Sequence, residues 1–357
     1  MKKLILSNPK LFLALGLRAA KWHLQYYSTG RAFPMLAGMY VTNACNFRCA
    51  SCNIWRNKKK STVPLQQFKS IIDDLSSLGT FYFSISGGEP LLLPDFAERI
   101  SYAKSKIPYV HFVSNGFLLD EAKAKQLAST GVDEVSISID GLEKTHDRLR
   151  GVPGAFGHAV AAVKNLKQFA PRVQIVVNSI LSPDTIDDLY RVVALTKELG
   201  VLHKFQPIND HPVFECQESQ SAKWSANQEQ LAKVDSFVSF LKTQPHVVNT
   251  PYFLSRVSRH FRRSNNDELF SEDCTIPYFF CEFREDGSVS PCLAASDWKN
   301  SFSTKNGLKQ SLASRAYHEE QKKLEKCRVC QKNMFVCYLE PRMSFPFPSL
   351  LKYGLFK

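Results

Sequence analysis

Short apolar segments alternate with amphipathic segments from residue 36 to about residue 206, and this alternation limits the fold more than any other feature of the chain. The pattern predicts six strands, at Leu36–Thr42, Phe81–Ser86, Tyr109–Ser114, Glu134–Ile139, Val173–Leu181 and Leu202–Gln206. It predicts helices between them, at Leu65–Leu78, Pro94–Lys106, Leu119–Thr130, Ala155–Phe169 and Asp184–Leu199. Strands that alternate with helices of this length form βαβ units and a parallel sheet. Six such units fit an α/β fold of the partial TIM-like (β/α)6 barrel type, with the functional site at the carboxyl ends of the strands.

Three cysteines follow the first predicted strand in the spacing Cys-x3-Cys-x2-Cys: Cys45, Cys49 and Cys52. Three thiolates at this spacing can ligate three irons of a [4Fe–4S] cluster and leave the fourth iron open to another ligand. The alternatives are a zinc knuckle and separate buried thiols. Zinc usually needs a fourth Cys or His at short range, and the nearest downstream candidates, His111 and Cys216, are far away in the sequence. The spacing therefore favours an iron–sulfur cluster.

Residues 43–52 and the Ser-Gly-Gly-Glu-Pro sequence at residues 86–90 together resemble the signature of the radical S-adenosylmethionine (SAM) enzymes. Residues 113–116 and 136–141 match further motifs of that family in the family's order, and the resemblance spans about residues 36–340. One departure is Ser51, at a position that is often aromatic in the family. The resemblance implies a partial TIM-like barrel and a [4Fe–4S] cluster whose open iron holds SAM for reductive cleavage.

The motifs and their positions predict a set of SAM-binding residues: Gly87, Gly88, Glu89, Pro90, Ser114, Asn115, Ser138, Asp140, Arg150 and Asn178. Asn178 is included because a polar side chain within an otherwise apolar strand needs a buried partner, here the adenosyl group. We expect the two glycines to permit close approach of the backbone to SAM, and Glu89 to add a charge-assisted contact. Ser114 and Asn115 have an alternative role in a turn closed by Asn-Gly. Asp140 is alternatively a turn residue, and Arg150 is alternatively a surface arginine.

A second group of cysteines lies between residues 274 and 330: Cys274, Cys292, Cys327 and Cys330. Their spacing resembles the auxiliary-cluster domain called SPASM in its shortened twitch form, and Asp286-Gly287 predicts a hairpin turn that brings the first two together. Four thiolates would complete a second [4Fe–4S] cluster, whereas a Cys₄ zinc ribbon is the alternative. Cys281 and Cys337 are either substitute ligands or buried thiols. An auxiliary cluster would either accept an electron from the product or hold the substrate, and the sequence leaves both open.

The formal net charge of +13 and the apolar segments near both ends of the sequence constrain the partners. The charge favours an anionic or amphiphilic substrate or an anionic membrane face, and no recognisable nucleic-acid module accompanies it. Residues 1–35 predict an amphipathic segment that is either docked on the barrel or placed in a membrane interface, with Trp22, Tyr26 and Tyr27 at the headgroups. Clustered cysteines indicate a reducing compartment, so we expect a cytoplasmic protein. Apolar ends of this kind more often dock on the protein, and the membrane alternative would place it peripherally on the inner membrane face.

These patterns divide the chain into a helical segment (1–35), a radical SAM barrel (36–206), a helical linker (207–270), an auxiliary-cluster domain (271–340) and an apolar tail (341–357). The predicted function is hydrogen abstraction and oxidative modification of a small or lipid-linked substrate. The resemblance implies a flavodoxin- or ferredoxin-type reductant. The alternatives are a peptide-modifying SPASM-type maturase and a non-catalytic iron–sulfur electron carrier. Cys216, after the last predicted strand, is the candidate thiol for donating a hydrogen atom to a substrate radical.

Overall fold

Eight strands of the computed structural model form a single sheet, and the structure describes residues 8–209, 226–262, 273–296 and 300–344. The strands are β1 (Leu36–Tyr40), β2 (Tyr82–Ser86), β3 (Tyr109–Ser114), β4 (Glu134–Ser138), β5 (Gln174–Leu181), β6 (Leu202–Pro207), β7 (Phe280–Phe283) and β8 (Val289–Ser290). Their order is β6-β5-β4-β3-β2-β1-β7-β8, and neighbours among β1 to β6 run parallel. The α/β fold predicted from the alternation is confirmed.

Helices connect and cover these strands. Those before the cysteine-rich region are α1 (Pro9–Thr29), α2 (Leu65–Leu78), α3 (Phe96–Lys106), α4 (Glu121–Thr130), α5 (Glu143–Arg150), α6 (Ala155–Phe169), α7 (Ile186–Glu198), α8 (Gln228–Lys242) and α9 (Pro251–Arg262). Helix α10 (Ile276–Phe279) precedes β7. The helices after β8 are α11 (Leu293–Ser296), α12 (Leu308–Ala313), α13 (Arg315–Glu325), α14 (Val329–Lys332) and α15 (Val336–Ser344).

Helix α2 shows why the predicted bounds of the βα units agree closely with the structure. Its buried side chains recur at helical spacing and face the sheet: Phe68, Ile71, Ile72 and Leu75. Gly79 then adopts φ +92°, and its N–H caps the last turn on the carbonyls of Leu75 and Ser76. A residue with a Cβ is strained in that conformation, so glycine ends the helix where the sequence predicted.

The β7–β8 hairpin extends the barrel sheet. Strand β7 pairs in parallel with β1, placing Cys281 opposite Ala37, and β8 pairs with β7 in antiparallel fashion. The turn at Asp286-Gly287 is the predicted one: Gly287 adopts φ +78° and Asp286 Oδ1 accepts from Ser288 N. The cysteine-rich region is therefore joined to the barrel by continuous sheet hydrogen bonding.

Helix α1 packs on the cysteine-rich region through Trp22. The indole Nε1–H donates to Tyr278 O over 3.1 Å, and the ring packs edge-on against Phe279. Trp22 and Tyr26 therefore face protein, and Tyr27 is exposed. In the part of the chain that the structure describes, no helix has both the length and the apolar character needed to cross a bilayer.

A buried polar network fills the interior of the barrel between β2, β3 and β4. His111 Nε2 lies 2.8 Å from Ser136 Oγ, and Nδ1 lies 2.9 Å from Tyr82 Oη. Burial lowers the pKa of His111 to about 4, so the ring is neutral near pH 7. His111, the nearest downstream histidine to the cysteine loop, is thus occupied by strand neighbours.

Candidate functional site

The carboxyl ends of the strands and the loop after β1 enclose a cavity of about 300 Å³. All ten residues of the predicted SAM site and the three N-terminal cysteines were expected to meet in this region. Those that line the cavity are Cys45, Cys49, Cys52, Gly87, Gly88, Glu89, Ser114, Asn115, Ser138, Arg150 and Asn178. Pro90 is instead a buried residue that begins the 3₁₀ turn Pro90–Leu92, and Asp140 forms an ion pair with Arg150. The structure therefore gathers into one place residues that lie up to 133 positions apart in the chain.

The cysteine loop is held by the protein around it. Arg48 N donates to Arg150 O over 3.2 Å, and Ala50 N donates to Leu149 O over 2.8 Å, so α5 supports the loop from one side. Burial raises the pKa of Cys45 to about 12 and also raises the pKa of Cys49. Thiols in this environment stay protonated unless a cation or metal stabilises the thiolate.

The two glycines of the second motif pack against the cysteine loop. Gly88 N donates to Thr42 O over 2.7 Å, and Glu89 N donates to Ala44 O over 2.8 Å. A Cβ on Gly88 would lie 1.9 Å from Ala44 O, and one on Gly87 would lie 2.3 Å from Thr42 O. We expected these glycines to let the backbone approach SAM; their demonstrable role is to let one loop approach the other.

Glu89 is a buried carboxylate that connects β2 to β3. Its Oε1 accepts from Ser114 Oγ over 2.8 Å and from Leu91 N over 3.1 Å, and its Oε2 accepts from Asn115 N over 2.8 Å. Burial raises the pKa of Glu89 to about 7 against the opposing effect of these hydrogen bonds. Asn115 is likewise occupied, since Nδ2 donates to Asn46 Oδ1 and Oδ1 accepts from Phe117 N.

Arg150 is an inward-facing residue with a carboxylate partner. Its guanidinium forms an ion pair with Asp140 Oδ2 at 2.8 Å, and the two side chains are 15% and 4% exposed. It also hydrogen-bonds to Cys49, which opposes the rise in the pKa of that thiol. Asp140 Oδ1 accepts from Ile180 N. Both carboxylate oxygens of Asp140 therefore have protein partners, and the residue fixes Arg150 beside the cysteine loop.

Asn178 supplies an unsatisfied polar atom to the cavity. It lies on β5 opposite Ser138 of β4, and its Oδ1 is buried without a hydrogen-bond partner among the described residues. A buried polar atom without a partner is costly unless a ligand or water satisfies it. This atom, together with three thiols and a fixed guanidinium, indicates a cavity built for a polar ligand.

Four cysteines of the C-terminal region surround a second, smaller cavity. The residues that line it include Cys274, Cys292, Cys327 and Cys330, all four members of the predicted quartet. Cys274 precedes α10 and Cys292 follows β8, so the two lie on either side of the hairpin that was predicted to bring them together. Burial raises the pKa of the Cys274, Cys292 and Cys330 thiols. Arg342 lines the same cavity and opposes that rise at Cys274.

The remaining cysteines lie apart from both cavities or outside the described residues. Cys281 is fully buried in the hydrophobic core, as expected for a buried thiol and not for a substitute cluster ligand. Cys337 lies on α15 with an exposed side chain and lines neither cavity. Cys216 lies outside the described residues. Within them, no group of three or more His, Cys, Asp or Glu is placed to hold a single metal ion.

Several residues of the cavity wall lie outside the family motifs and were not predicted from the sequence. Tyr40 at the end of β1 and Val336 on α15 are two of these. On β6, Lys204 and Gln206 also line the cavity, followed by Asn209. The two-residue spacing of Lys204 and Gln206 places them on one face of the strand, and this polar alternation was the signal available in the sequence.

Residues 39–196 match the model of the radical SAM superfamily. This segment runs from β1 into α7 and contains the cysteine loop and the motifs that line the cavity. The chain therefore carries a radical SAM domain, and a cysteine-rich region follows it. Domains of this superfamily use a [4Fe–4S] cluster and SAM.

Some known proteins resemble the chain in sequence, and others resemble it in fold. An AdoMet-dependent heme synthase of Methanosarcina barkeri is 34% identical over 175 residues, which cover 47% of this chain and 49% of that protein. Mycofactocin maturase MftC of Mycobacterium tuberculosis is 35% identical over 145 residues, covering 40% and 37%. The chain thus spans about half or less of the length of these relatives. Streptococcus suis SuiB bound to S-adenosylmethionine has a similar fold, with a TM-score of 0.65 at 15% identity over 88% of this chain and 76% of that one.

Proposed function

We propose that this protein is a radical SAM oxidoreductase in which Cys45, Cys49 and Cys52 hold a [4Fe–4S] cluster with one iron left for SAM. The main support is that these three thiols, Arg150 and the unsatisfied Asn178 Oδ1 all line one cavity. The donor set fits the group, because buried thiols become good ligands when iron takes the place of the proton. When bound, the cluster supplies the electron that cleaves SAM to a 5′-deoxyadenosyl radical, which abstracts hydrogen from the substrate.

The chain's own residues would bind and orient SAM. Arg150, fixed by Asp140, would receive the methionine carboxylate beside the cysteine loop. Glu89 keeps β2, β3 and the Gly-Gly loop in register, and its carboxylate would favour the methionine ammonium. Asn178 Oδ1 would accept a hydrogen bond from the adenosyl group. Ser138 lies opposite Asn178 and would contact the same group.

We propose further that Cys274, Cys292, Cys327 and Cys330 hold an auxiliary [4Fe–4S] cluster, and that the domain boundaries are those the sequence predicts. The support is that these four cysteines, and neither Cys281 nor Cys337, surround one cavity. Complete protein ligation suits a cluster that receives an electron from the product radical, whereas an open iron would hold substrate. A flavodoxin- or ferredoxin-type protein would supply electrons to the N-terminal cluster.

Reductive cleavage of SAM tests the main proposal. Anaerobically reconstituted protein with dithionite should form 5′-deoxyadenosine, and Cys49→Ala should form none. An electron carrier would form none in either case, because it has no need of an open iron beside a nucleoside site.

The substrate we propose is small or lipid-linked, anionic and amphiphilic. A peptide is the second candidate, because MftC is named a maturase and SuiB has also been solved bound to precursor peptide SuiA. Incubation with SAM and candidate substrates, followed by mass spectrometry, separates the two. A mass loss of two hydrogens in an amphiphilic acid supports the first, and the same loss in a peptide supports the second.

We also propose that α1 rests on an anionic lipid surface, which would place a cytoplasmic protein peripherally on the inner membrane face. One face of α1 packs on the protein through Trp22, and the opposite face exposes apolar side chains at helical spacing: Phe12, Leu13, Leu17, Leu24 and Tyr27. Leu13 is 62% exposed and Leu24 is 75% exposed. From Phe12 to Tyr27 this stripe extends over about 23 Å of the helix.

Charge favours a lipid surface over a second copy of this chain as the occupant of the stripe. Residues 1–72 contain twelve lysines and arginines and no aspartate or glutamate. This segment attracts anionic headgroups, whereas a second copy would bring like charges together.

Point substitutions test this better than removing residues 1–30, because truncation would also delete Trp22 and expose the surface at Tyr278 and Phe279 that it covers. The triple variant Leu13→Gln, Leu17→Gln, Leu24→Gln should lose more than tenfold in co-sedimentation with phosphatidylglycerol vesicles. Leu92→Gln, at an exposed leucine elsewhere, should not. Equal binding by the triple variant, or a loss of dimer instead of a loss of vesicle binding, would overturn the membrane proposal.

A further inference from the structure

The β6 side of the cavity is rich in hydrogen-bond donors. Lys204 and Gln206 line it from one face of β6, and Asn209 lines it two residues after the strand. Lys204 lies opposite Asn178 in the β5–β6 register. These residues belong to no motif of the radical SAM domain and lie beyond the segment that the family model covers.

The C-terminal segment orients both amides. Val336 N donates to Gln206 Oε1 over 3.3 Å, and Met334 N donates to Asn209 Oδ1 over 2.7 Å. A backbone N–H can only donate, so the amide oxygens are fixed toward residues 334–336. The N–H ends of both amides are thereby left for other partners.

Two of these donors, on Asn209 and Lys204, have no acceptor among the residues that the structure describes. Asn209 is 5% exposed, and within those residues its buried Nδ2 has no hydrogen-bond partner. Lys204 forms no ion pair within 4.0 Å of its ammonium with any residue that the structure describes. Its positive charge acts on Cys337 and on two carboxylates, Glu340 and Glu134. However, Glu340 Oε1 accepts from Thr250 N and Glu134 Oε2 accepts from Tyr109 Oη. A cation and a buried amide donor facing one cavity are expected to have an acceptor when the site is filled.

The wall beside these donors is apolar. Three apolar residues line the cavity near these donors: Ile208, which precedes Asn209 in the chain, Ile180 on the neighbouring strand β5, and Val336. At the other side of the cavity, Arg150 pairs with Asp140 and Cys49, but its buried Nε has no partner among the described residues and can still donate to a ligand. SAM has one carboxylate, which the arginine would take, so the lysine is left for a second anion.

We propose that Lys204, Gln206 and Asn209 bind an oxyanion, a carboxylate or a phosphate, that is attached to an apolar body, and that this group belongs to the substrate. The proposal rests on the proposed function, because it makes the second anion a co-occupant with SAM. Lys204 is a binding residue here and takes no part in the cleavage of SAM.

Calorimetric titration of the reconstituted, SAM-saturated protein tests the subsite with simple probes: acetate, octanoate and inorganic phosphate. We expect octanoate to bind at least tenfold more tightly than acetate. Lys204→Gln should weaken octanoate binding about tenfold, Lys204→Arg should retain most of it, and the exposed Lys242→Gln should leave it unchanged. Tighter binding of phosphate than acetate would identify a phosphate-bearing substrate, and the reverse a carboxylate.

Two results overturn the subsite. One is wild-type octanoate affinity in Lys204→Gln. The other is a loss of SAM affinity in Lys204→Gln as large as in Arg150→Met, which would place the lysine in the SAM site. Formation of 5′-deoxyadenosine is measured separately on the wild type, so failure of the radical SAM proposal is recognised independently of anion binding.

Discussion

Replacement of Asp140 by asparagine tests whether the ion pair positions Arg150 for SAM. The carboxylate and guanidinium are 2.8 Å apart and largely buried, and the second carboxylate oxygen accepts from Ile180 N. Asparagine has nearly the same shape but carries no charge. The variant therefore leaves the Arg150 cation without its counter-charge while keeping the packing of the site.

The expected effects follow from that loss. Removing one partner of a buried ion pair costs about 3–5 kcal/mol. Arg150 is 15% exposed, so we expect the lower end, about 3 kcal/mol in the free energy of unfolding. A hydrogen bond to a charged group contributes about 1.5–3 kcal/mol, so a displaced Arg150 should lower SAM affinity about 10- to 100-fold.

Urea unfolding of the apoprotein and equilibrium dialysis of SAM with the reconstituted protein measure the two quantities. Asp187→Asn is the matched control, because Asp187 is 81% exposed and pairs with Lys233 at 3.2 Å on the surface. That pair should contribute less than about 1 kcal/mol and should not affect SAM. If Asp140→Asn matches the control in stability and binds SAM within twofold of the wild type, Asp140 does not position Arg150.

Three further predictions concern the two cysteine sites and Glu89. Cys274→Ala combined with Cys327→Ala should halve the iron content while 5′-deoxyadenosine still forms, and unchanged iron would exclude these ligands. Gly88→Ala should lower iron content and thermal stability because its Cβ would overlap a backbone carbonyl of the cysteine loop, whereas Gly157→Ala, which has open space, should not. Burial raises the pKa of Glu89 to about 7 from 4.5, so its contribution to stability is present at low pH and lost as pH rises through 7. Urea midpoints of the apoprotein from pH 5 to 8 should fall more steeply in the wild type than in Glu89→Gln, and equal slopes would contradict the assignment.

The sequence predicted what depends on local pattern and on spacing. Helix α2 begins and ends where its apolar period and Gly79 place it. The Cys274, Cys292, Cys327 and Cys330 quartet was predicted from its resemblance to the auxiliary-cluster domain, and the structure gathers those four around one cavity.

Features that depend on contacts distant in sequence were not predictable. The parallel pairing of β1 with β7 joins residues more than 240 positions apart, so the hairpin's place at the sheet edge had no local signal. Glu89 has the ordinary appearance of a ligand-facing carboxylate, but only the structure shows that Ser114 and Asn115 occupy it. Trp22 reads as an interfacial aromatic residue until its hydrogen bond to Tyr278 is seen.

Helix α5 was missed because its sequence is almost entirely polar and has no apolar period. It nevertheless carries Arg150 to the cysteine loop. Its backbone carbonyls at Leu149 and Arg150 accept from that loop, and these contacts hold the helix in place. Tertiary contacts here outweigh the weak local signal.

Electron paramagnetic resonance of the reduced protein, before and after addition of SAM, tests whether the N-terminal cluster has an iron that binds SAM. The variant carrying Cys274→Ala and Cys327→Ala isolates this cluster. We expect a [4Fe–4S] signal that changes when SAM is added, together with formation of 5′-deoxyadenosine. A signal that SAM leaves unchanged, or zinc in place of iron at Cys45, Cys49 and Cys52, would contradict this expectation.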